Sequence, residues 1–348
     1  MNSFVHQCVV QSDTILTALG KLDKLSGSTL VLFVLNNTEQ VVGTLTDGDI
    51  RRALVRGLQL NTEVQYVMKK DFSYLSDEEQ DHTSKIKHFR AKNITVLPLL
   101  DPNKHLVKIY NLKELRSLLP IDAVLMAGGK GERLRPLTEK IPKPLLPIGD
   151  KAIIDHNVDR LLSYGVTHIS VTVNYLKEQL EKHYSQPRNG IKVNCYREPK
   201  FLGTIGSIKF VEKFYNDTIL IMNSDLFTNI DYEDFFFHFQ MYNADMSVAA
   251  VPYNVSIPYG ILDLIGRNIK GLLEKPQYNY YANAGIYLIK RQVLDEIPEN
   301  TFFNATDLIE KLIGENKRVI RYPLNGTWID IGNPQEYQKA KDLIRHLK

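Results

Sequence analysis

Cysteine is scarce in this chain: Cys8 and Cys195 are the two it has. That excludes a disulfide scaffold and a cysteine-based zinc site, and it fits a reducing compartment. Excess charge of one sign is also lacking. The 43 Lys and Arg side chains face 40 Asp and Glu, leaving a formal net charge of +3. That is too little to argue for a nucleic-acid partner. Long apolar runs are missing as well. The densest early one, residues 30–35 (LVLFVL), falls far short of the roughly 20 residues that cross a bilayer. The opening residues MNSFVHQCVVQSD hold no basic stretch followed by an apolar core, so no signal peptide is expected. These absences predict a cytoplasmic protein with neither a membrane nor a nucleic-acid partner.

What is present is ordinary for a folded protein: 43% hydrophobic and 24% charged residues in 348. Intrinsic disorder is excluded, and the length suggests two domains. Residues 30–35 read as a buried strand bounded by Ser28, Thr29, Asn36 and Asn37. Residues 40–45 read as the next strand, after a hairpin turn at NNTE, and 49–57 as a helix with Gly57 near its end. A second copy of this order follows: a helix over 81–92, strands at 95–100 and 106–110, and a helix over 112–118 closed by Pro120. The repeat is two-fold, with a period of roughly 55–60 residues.

Residues 1–118 resemble a CBS-domain pair. The stretch Gly43-Thr44-Leu45-Thr46-Asp47-Gly48-Asp49-Ile50 carries the resemblance. It implies an α+β domain in which Thr46 and Asp49 are candidates to hold the ribose of an adenine nucleotide. The same two residues also read as a helix cap. The second copy, Lys108-Ile109-Tyr110-Asn111-Leu112-Lys113, lacks both Thr and Asp, so at most one such site is intact. CBS pairs associate, which implies a homo-oligomer.

From residue 121 on, short apolar runs alternate with helical patterns. Strands are predicted at 123–126, 168–173, 192–196 and 218–222, and helices at 153–164, 175–184 and 206–214. Such alternation argues for an α/β unit with a mixed, mostly parallel sheet. Ligands in such sheets bind beyond the carboxyl ends of the strands. That directs attention to the loops at 127–135, 198–207 and 223–226.

The first of these loops reads Ala127-Gly128-Gly129-Lys130-Gly131-Glu132-Arg133-Leu134. Glycines after a strand let backbone amides approach an anion. No Gly-Lys-Ser/Thr closes the loop, so it is not a Walker A, and the glycine spacing fits a dinucleotide fingerprint poorly. Pro136-Leu137-Thr138 follows, then Pro142-Lys143-Pro144. The flanking prolines predict that Lys143 sits on a stiff extended segment, as a fixed point charge for phosphate.

This block resembles the sugar nucleotidyltransferases, whose pattern Gly-Gly-x-Gly-x-Arg-Leu-x-Pro-Leu-Thr, a gap, then Pro-Lys-Pro is complete here. The resemblance covers residues 121–348 and implies a Rossmann-like, GT-A-like fold. It implies transfer of a nucleotidyl group from an NTP to a sugar 1-phosphate, with Arg133 and Lys143 as catalytic cations. It implies that Ala127, Gly128, Gly129 and Gly131 hold the nucleotide. Two phosphate anions must meet, so Mg²⁺, or Mn²⁺ in its place, is expected. Asp225 in Asn-Ser-Asp and Asp330 in Trp-Ile-Asp match the family's metal-binding aspartates.

Glu198, with Gly203 and Thr204, matches the family's base-reading loop. A carboxylate accepts from both N1–H and the exocyclic amine of guanine, so Glu198 points to GTP, with UTP or dTTP as the alternative. Gly260, Glu274, Lys275, Asn283 and Gly285 match the family's sugar-phosphate contacts. The whole chain is similar to CBS-fused nucleotidyltransferases of bacterial surface-glycan and nonulosonic acid pathways. That implies glucosamine 1-phosphate as the sugar, as in legionaminic acid synthesis, with mannose or heptose 1-phosphate as alternatives. A reading of another class remains: an adenine-nucleotide sensor with weak catalysis. Intact Arg133, Lys143, Asp225 and Asp330 argue against it.

Overall fold

The structure, a computed structural model, describes residues 4–25, 30–79 and 81–347. Its chain forms two compact units, Met1–Leu118 and Leu119–Lys348.

The first unit is built twice on one plan. Strand β1 (Cys8–Val10), helix α1 (Ile15–Lys24), strands β2 (Val31–Leu35) and β3 (Val41–Thr46) and helix α2 (Asp47–Val55) form the first copy. Strands β4 (Leu75–Ser76), β5 (Val96–Leu100) and β6 (Leu106–Asn111), with helix α3 (His82–Ala91) after β4, form the second. In each copy the first strand pairs parallel with the second, and the second pairs antiparallel with the third. Helix α1 buries Ile15, Ala18 and Leu22, one stripe at helical spacing. Phe33 and Val41 of the first copy pack with Val96 and Leu100 of the second. Ser28 and Thr29, expected to bound β2, lie outside the described residues.

The helix expected over 112–118 does not form. A single turn follows β6, and the chain then runs without regular structure to Pro120. Two carbonyls of this segment are held by side chains of α3 instead. The hydroxyl of Thr83 donates to Leu118 O at 2.6 Å, and the Arg90 guanidinium donates to Arg116 O. Both partners come from α3, so Leu112, Leu115 and Leu118 pack against it without a helix of their own.

The second unit is framed by a seven-stranded sheet. In chain order its elements are β7 (Ile121–Ala127), the short strands β8 (Pro147–Ile148) and β9 (Lys151–Ala152), α4 (Ile153–Ser163), β10 (His168–Val173), α5 (Lys177–His183), β11 (Val193–Arg197), β12 (Thr218–Asn223), β13 (Leu226–Thr228) and α6 (Tyr232–Met241). They continue with β14 (Met246–Ser256), β15 (Ile261–Ile265), β16 (Asn268–Leu273), β17 (Gln277–Lys290), α7 (Ala305–Gly314), β18 (Val319–Pro323), β19 (Trp328–Asp330) and α8 (Pro334–Leu347). The sheet order is β11-β10-β7-β12-β17-β14-β18. β17 runs antiparallel to both its neighbours, and every other neighbouring pair is parallel. The sheet is thus mixed and mostly parallel. β7 lies between β10 and β12, covered on both faces. Six of its seven residues are buried, which is why it reads as a continuous apolar run rather than an alternating one.

Three local expectations need correction. The helix expected over 206–214 is a 3₁₀ turn, Gly206–Phe210, that stops early. Residues 211–215 are without regular structure, and at their end the buried carboxylate of Asp122 takes the amides of Tyr215 and Asn216 at 2.7 and 2.9 Å. The helix expected at 175–184 begins at Lys177 because Leu176 is left-handed, at φ +49°. Lys143 does not sit on an extended segment. Pro142 is extended, and Lys143 starts a 3₁₀ turn, Lys143–Leu145. No helix among the described residues is long and apolar enough to cross a membrane.

Candidate active site

Beyond the carboxyl ends of β7, β10 and β12 lies a cleft of about 610 Å³. Its floor begins where β7 runs into glycines. Gly131 is left-handed at φ +62°, and a Cβ there would stand 3.0 Å from Thr138 Cγ2 and 3.1 Å from Lys143 Cβ. Thr138 donates its hydroxyl to Gly131 O at 2.8 Å, which fixes the turn. Arg133 follows in a 3₁₀ turn, Glu132–Leu134. Its guanidinium lies against Gly332, where a Cβ would be 3.5 Å from Nη2.

Lys143 is 9% exposed and forms an ion pair with Asp225 through Nζ and Oδ2. The other oxygen of Asp225, Oδ1, is buried with no hydrogen-bond partner. Asp225 is placed by the turn after β12. Ser224 donates its amide and its hydroxyl to Met126 O on β7, at 3.1 and 2.7 Å. Asp330 ends β19, which pairs with β13 so that Leu226 faces Asp330. Ile331 N donates to Asp225 O at 3.3 Å. Burial pushes the Asp330 carboxyl up, and the negative charge of Asp225 adds to this, while Lys143 and Arg133 act the other way.

The donor chemistry suits a hard divalent cation. Asp225 keeps a buried oxygen without a partner, and its negative charge reaches the second carboxylate, Asp330. No group of three or more His, Cys, Asp or Glu side chains sits together as a metal site among the described residues. A metal here would rest on two carboxylates and take its remaining ligands from phosphate and water, which is the habit of magnesium.

Glu198 forms the opposite wall. Its amide donates to Val173 O at 3.0 Å, continuing from β10, and its Oε2 accepts from Leu202 N at 3.1 Å. The side chain is nearly fully buried, and burial pushes its carboxyl up, partly offset by the Leu202 amide. Glu198 lies directly over Gly128. Gly203, at φ +79°, and Thr204 complete this loop.

The cleft therefore gathers Ala127, Gly128, Gly129, Gly131, Arg133, Lys143, Glu198, Gly203, Thr204 and Asp225. Asp330 stands behind Asp225. The five remaining residues do not line the cleft. Gly260 lies against Glu274, with a Cβ there 3.0 Å from Oε2, at the root of the β15–β16 hairpin. Lys275 is left-handed at φ +44°. Both Glu274 and Lys275 are exposed. Asn283 accepts from Gly285 N at 2.9 Å, and Gly285, at φ +71°, packs on Asn223, which does line the cleft.

Residues 122–346 match the Nucleotidyl transferase family. The chain belongs to that family. Among its relatives, mannose-1-phosphate guanyltransferase beta-B of Xenopus laevis is 28% identical over 224 residues, which is 62% of each chain. The bifunctional protein GlmU of Methanococcus maripaludis is 30% identical over 232 residues, covering 64% of this chain and 54% of that one. The chain thus spans less than two thirds of the length of the curated relatives it matches. Among solved structures, HddC from Yersinia pseudotuberculosis, in complex with GMP-PN, superposes with a TM-score of 0.50 at 25% identity, over 64% of this chain and 99% of that one.

The cleft of this nucleotidyl transferase also contains residues the sequence did not single out. Thr172 on β10 accepts a 3.0 Å hydrogen bond from the Ser207 hydroxyl, and Asn174 and Asn223 complete the walls. Polar residues at strand ends are too common to flag alone. Their place becomes visible only once the strand order is known.

Proposed function

We propose that this chain transfers a nucleotidyl group from GTP to a sugar 1-phosphate, releasing pyrophosphate. An oxygen of the sugar phosphate attacks the α-phosphorus of the NTP. A new P–O bond forms as the bond to the β-phosphate oxygen breaks, and the electron pair leaves with pyrophosphate. The nucleophile is already an anion, so no general base is needed. Catalysis then rests on positioning and on neutralising charge. Amides of Gly128, Gly129 and Gly131 would cradle the triphosphate, with Ala127 at the strand end. Arg133 and Lys143 would hold the charge that builds on the phosphates. Mg²⁺ bound by Asp225 and Asp330 would neutralise the phosphates further, with Mn²⁺ as a substitute.

The observation that carries this reading is the convergence, on one cleft, of the glycine loop, the buried Lys143–Asp225 pair and a carboxylate at Glu198. Guanine is supported by Glu198, whose free Oε1 faces the cleft side of Gly128, and by the guanyltransferase and GMP-PN-bound relatives. For the sugar, resemblance favours glucosamine 1-phosphate, as in legionaminic acid synthesis. The Xenopus relative favours mannose 1-phosphate. For Gly260, Glu274, Lys275, Asn283 and Gly285 a sugar-phosphate role is proposed from the match to the family's motifs.

The first unit, residues 1–118, reads as a CBS-domain pair, supported by its duplicated strand order. We assign it an adenine nucleotide near Thr46 and Asp49 and a role in joining copies of the chain into a homo-oligomer. Two free cysteines support a cytoplasmic setting. The test is a pyrophosphate-release panel of four NTPs against glucosamine, N-acetylglucosamine, glucose, mannose and heptose 1-phosphates with Mg²⁺. Release with GTP and one sugar supports the reading. Release only with UTP or dTTP removes the role given to Glu198.

A further inference from the structure

Asn304 is the cap residue of a helix, and its side chain also reaches a different part of the molecule. It precedes α7, whose first residue is Ala305. With Asp307 it forms a capping box, its side chain turned onto the first turn of its own helix as is usual for a cap. In addition, Asn304 Oδ1 accepts from Thr204 N at 3.2 Å, a hundred residues earlier in the chain. The exchange is reciprocal: Thr204 Oγ1 accepts from Ala305 N at 2.9 Å. The loop thus caps the helix, and the residue at the cap position holds the loop. Asp307 keeps Asn304 in place by accepting its amide at 2.7 Å.

The backbones are stitched alongside. Phe303 N donates to Leu202 O at 3.0 Å, and Ile205 N and Gly206 N both donate to Phe303 O at 3.1 Å. This contact explains two glycines that a phosphate-binding role does not require. A Cβ on Gly203 would stand 2.6 Å from Phe303 O and 2.9 Å from Asn304 Oδ1. One on Gly206 would stand 2.7 Å from Thr301 O. Both must be bare for residues 301–304 to pass.

The clasped loop is the one whose other end carries Glu198. Glu198 and Leu202 are already joined within it. The tether on Thr204 therefore closes a rigid segment from Glu198 to the helix start, with little freedom left for the carboxylate.

We propose that Asn304 is a positioning residue for the nucleotide, holding the Glu198–Thr204 loop in the conformation that receives the base. The inference rests on the nucleotidyl-transfer reading above. It needs only that the loop meets the base, whichever base that is.

The experiment uses the full-length protein and measures kcat, KM for the NTP and KM for the sugar 1-phosphate, with the melting temperature alongside. Asn304→Ala should raise KM for the NTP about tenfold, the size of one lost positioning hydrogen bond. It should leave kcat at saturation and KM for the sugar phosphate within about twofold. Asn304→Asp keeps the acceptor and should restore wild-type KM. Leu312→Ala, at a buried position about two turns along α7 from Asn304, should lower the melting temperature while KM for the NTP holds. If Asn304→Ala does not fold, Asn304→Ser replaces it, with the same split expected.

An unchanged KM for the NTP in Asn304→Ala overturns the proposal, as does an Asn304→Asp variant no better than the alanine. Losses in all three kinetic parameters that track the melting temperature would mean a structural cap only. If the wild type prefers UTP or dTTP, the guanine assignment to Glu198 fails by itself, and the KM split is read with that nucleotide.

Discussion

Glu198 closes over Gly128. A Cβ built on Gly128 would land on Glu198 Oε1, would lie 3.0 Å from its Cδ and would touch Asn174 Cβ at 3.4 Å. The first glycine of the loop is therefore fixed by the carboxylate above it, and the two positions depend on each other.

From this follows the first prediction. Gly128→Ala should fold but push Glu198 from its place. The expected loss is at least tenfold in kcat/KM for the NTP, with the melting temperature within a few degrees of wild type. Steady-state kinetics and calorimetry check both parts. A fully active Gly128→Ala would show that Glu198 need not sit where it does.

Glu198 itself carries a cost. Burial raises its pKa, so the ionised form is disfavoured in the folded, ligand-free protein. The sign is that of a raised carboxyl. Its contribution to stability is fully present below the unfolded pKa and is lost as pH rises through the folded one. Glu198→Gln removes that loss and keeps an acceptor for Leu202 N. Its ligand-free melting temperature should therefore exceed wild type at pH 7 and match it at acid pH. The same variant should lose preference for GTP. In the wild type, KM for GTP should rise as pH falls into the range where Glu198 protonates.

Lys143 and Asp225 test the chemistry. Lys143→Ala removes a buried cation from the phosphate side, and should cost about a hundredfold to a thousandfold in kcat. Asp225→Asn, or removal of divalent cations with EDTA, should abolish turnover, with added Mg²⁺ restoring the wild type only. Activity that survives EDTA would remove the metal from the reading.

Thr46 and Asp49 make a capping box at the start of α2. Asp49 N donates to Thr46 Oγ1 at 3.2 Å, and Asp49 Oδ2 accepts from Thr46 N at 2.9 Å. Burial works against the Asp49 charge, but the Thr46 hydroxyl and amide and the Arg52 guanidinium outweigh it and hold the carboxyl below its ordinary range. A depressed carboxyl stabilises above its unfolded pKa, and that stability is lost as pH falls through the folded pKa. Asp49→Ala should cost about 1 kcal/mol at pH 7 and less in acid. Calorimetric titration with AMP and ATP then separates cap from ligand site. Heat with the wild type and none with Asp49→Ala supports the nucleotide, and no heat with either leaves a cap.

Much of the fold was legible because its signals are local. The buried run of β7, the glycines after it and the hairpin between β2 and β3 each declare themselves within ten residues. Two of the failures share a feature. Residues 112–118 and 206–214 carry helical spacing, yet the first stays irregular and the second stops at Phe210, and side chains distant in sequence, Thr83 and Arg90 in one case and Asp122 in the other, hold backbone groups in or beside them. The cleft was legible where a residue type is chemically demanding, as with Arg133, Lys143, Asp225 and Glu198. Asn304 left only a weak trace: the spacing Asn-x-x-Asp before an apolar helical stripe marks a helix start. Nothing in that spacing says the side chain reaches Thr204.

The most direct test of the central claim is ³¹P NMR of the wild-type protein with GTP, Mg²⁺ and the sugar 1-phosphate that the panel selects. Attack at the α-phosphorus predicts that pyrophosphate and a diphosphodiester signal grow in equal amounts as GTP and the sugar phosphate disappear. Growth of GDP and inorganic phosphate, with the sugar phosphate untouched, would contradict the account.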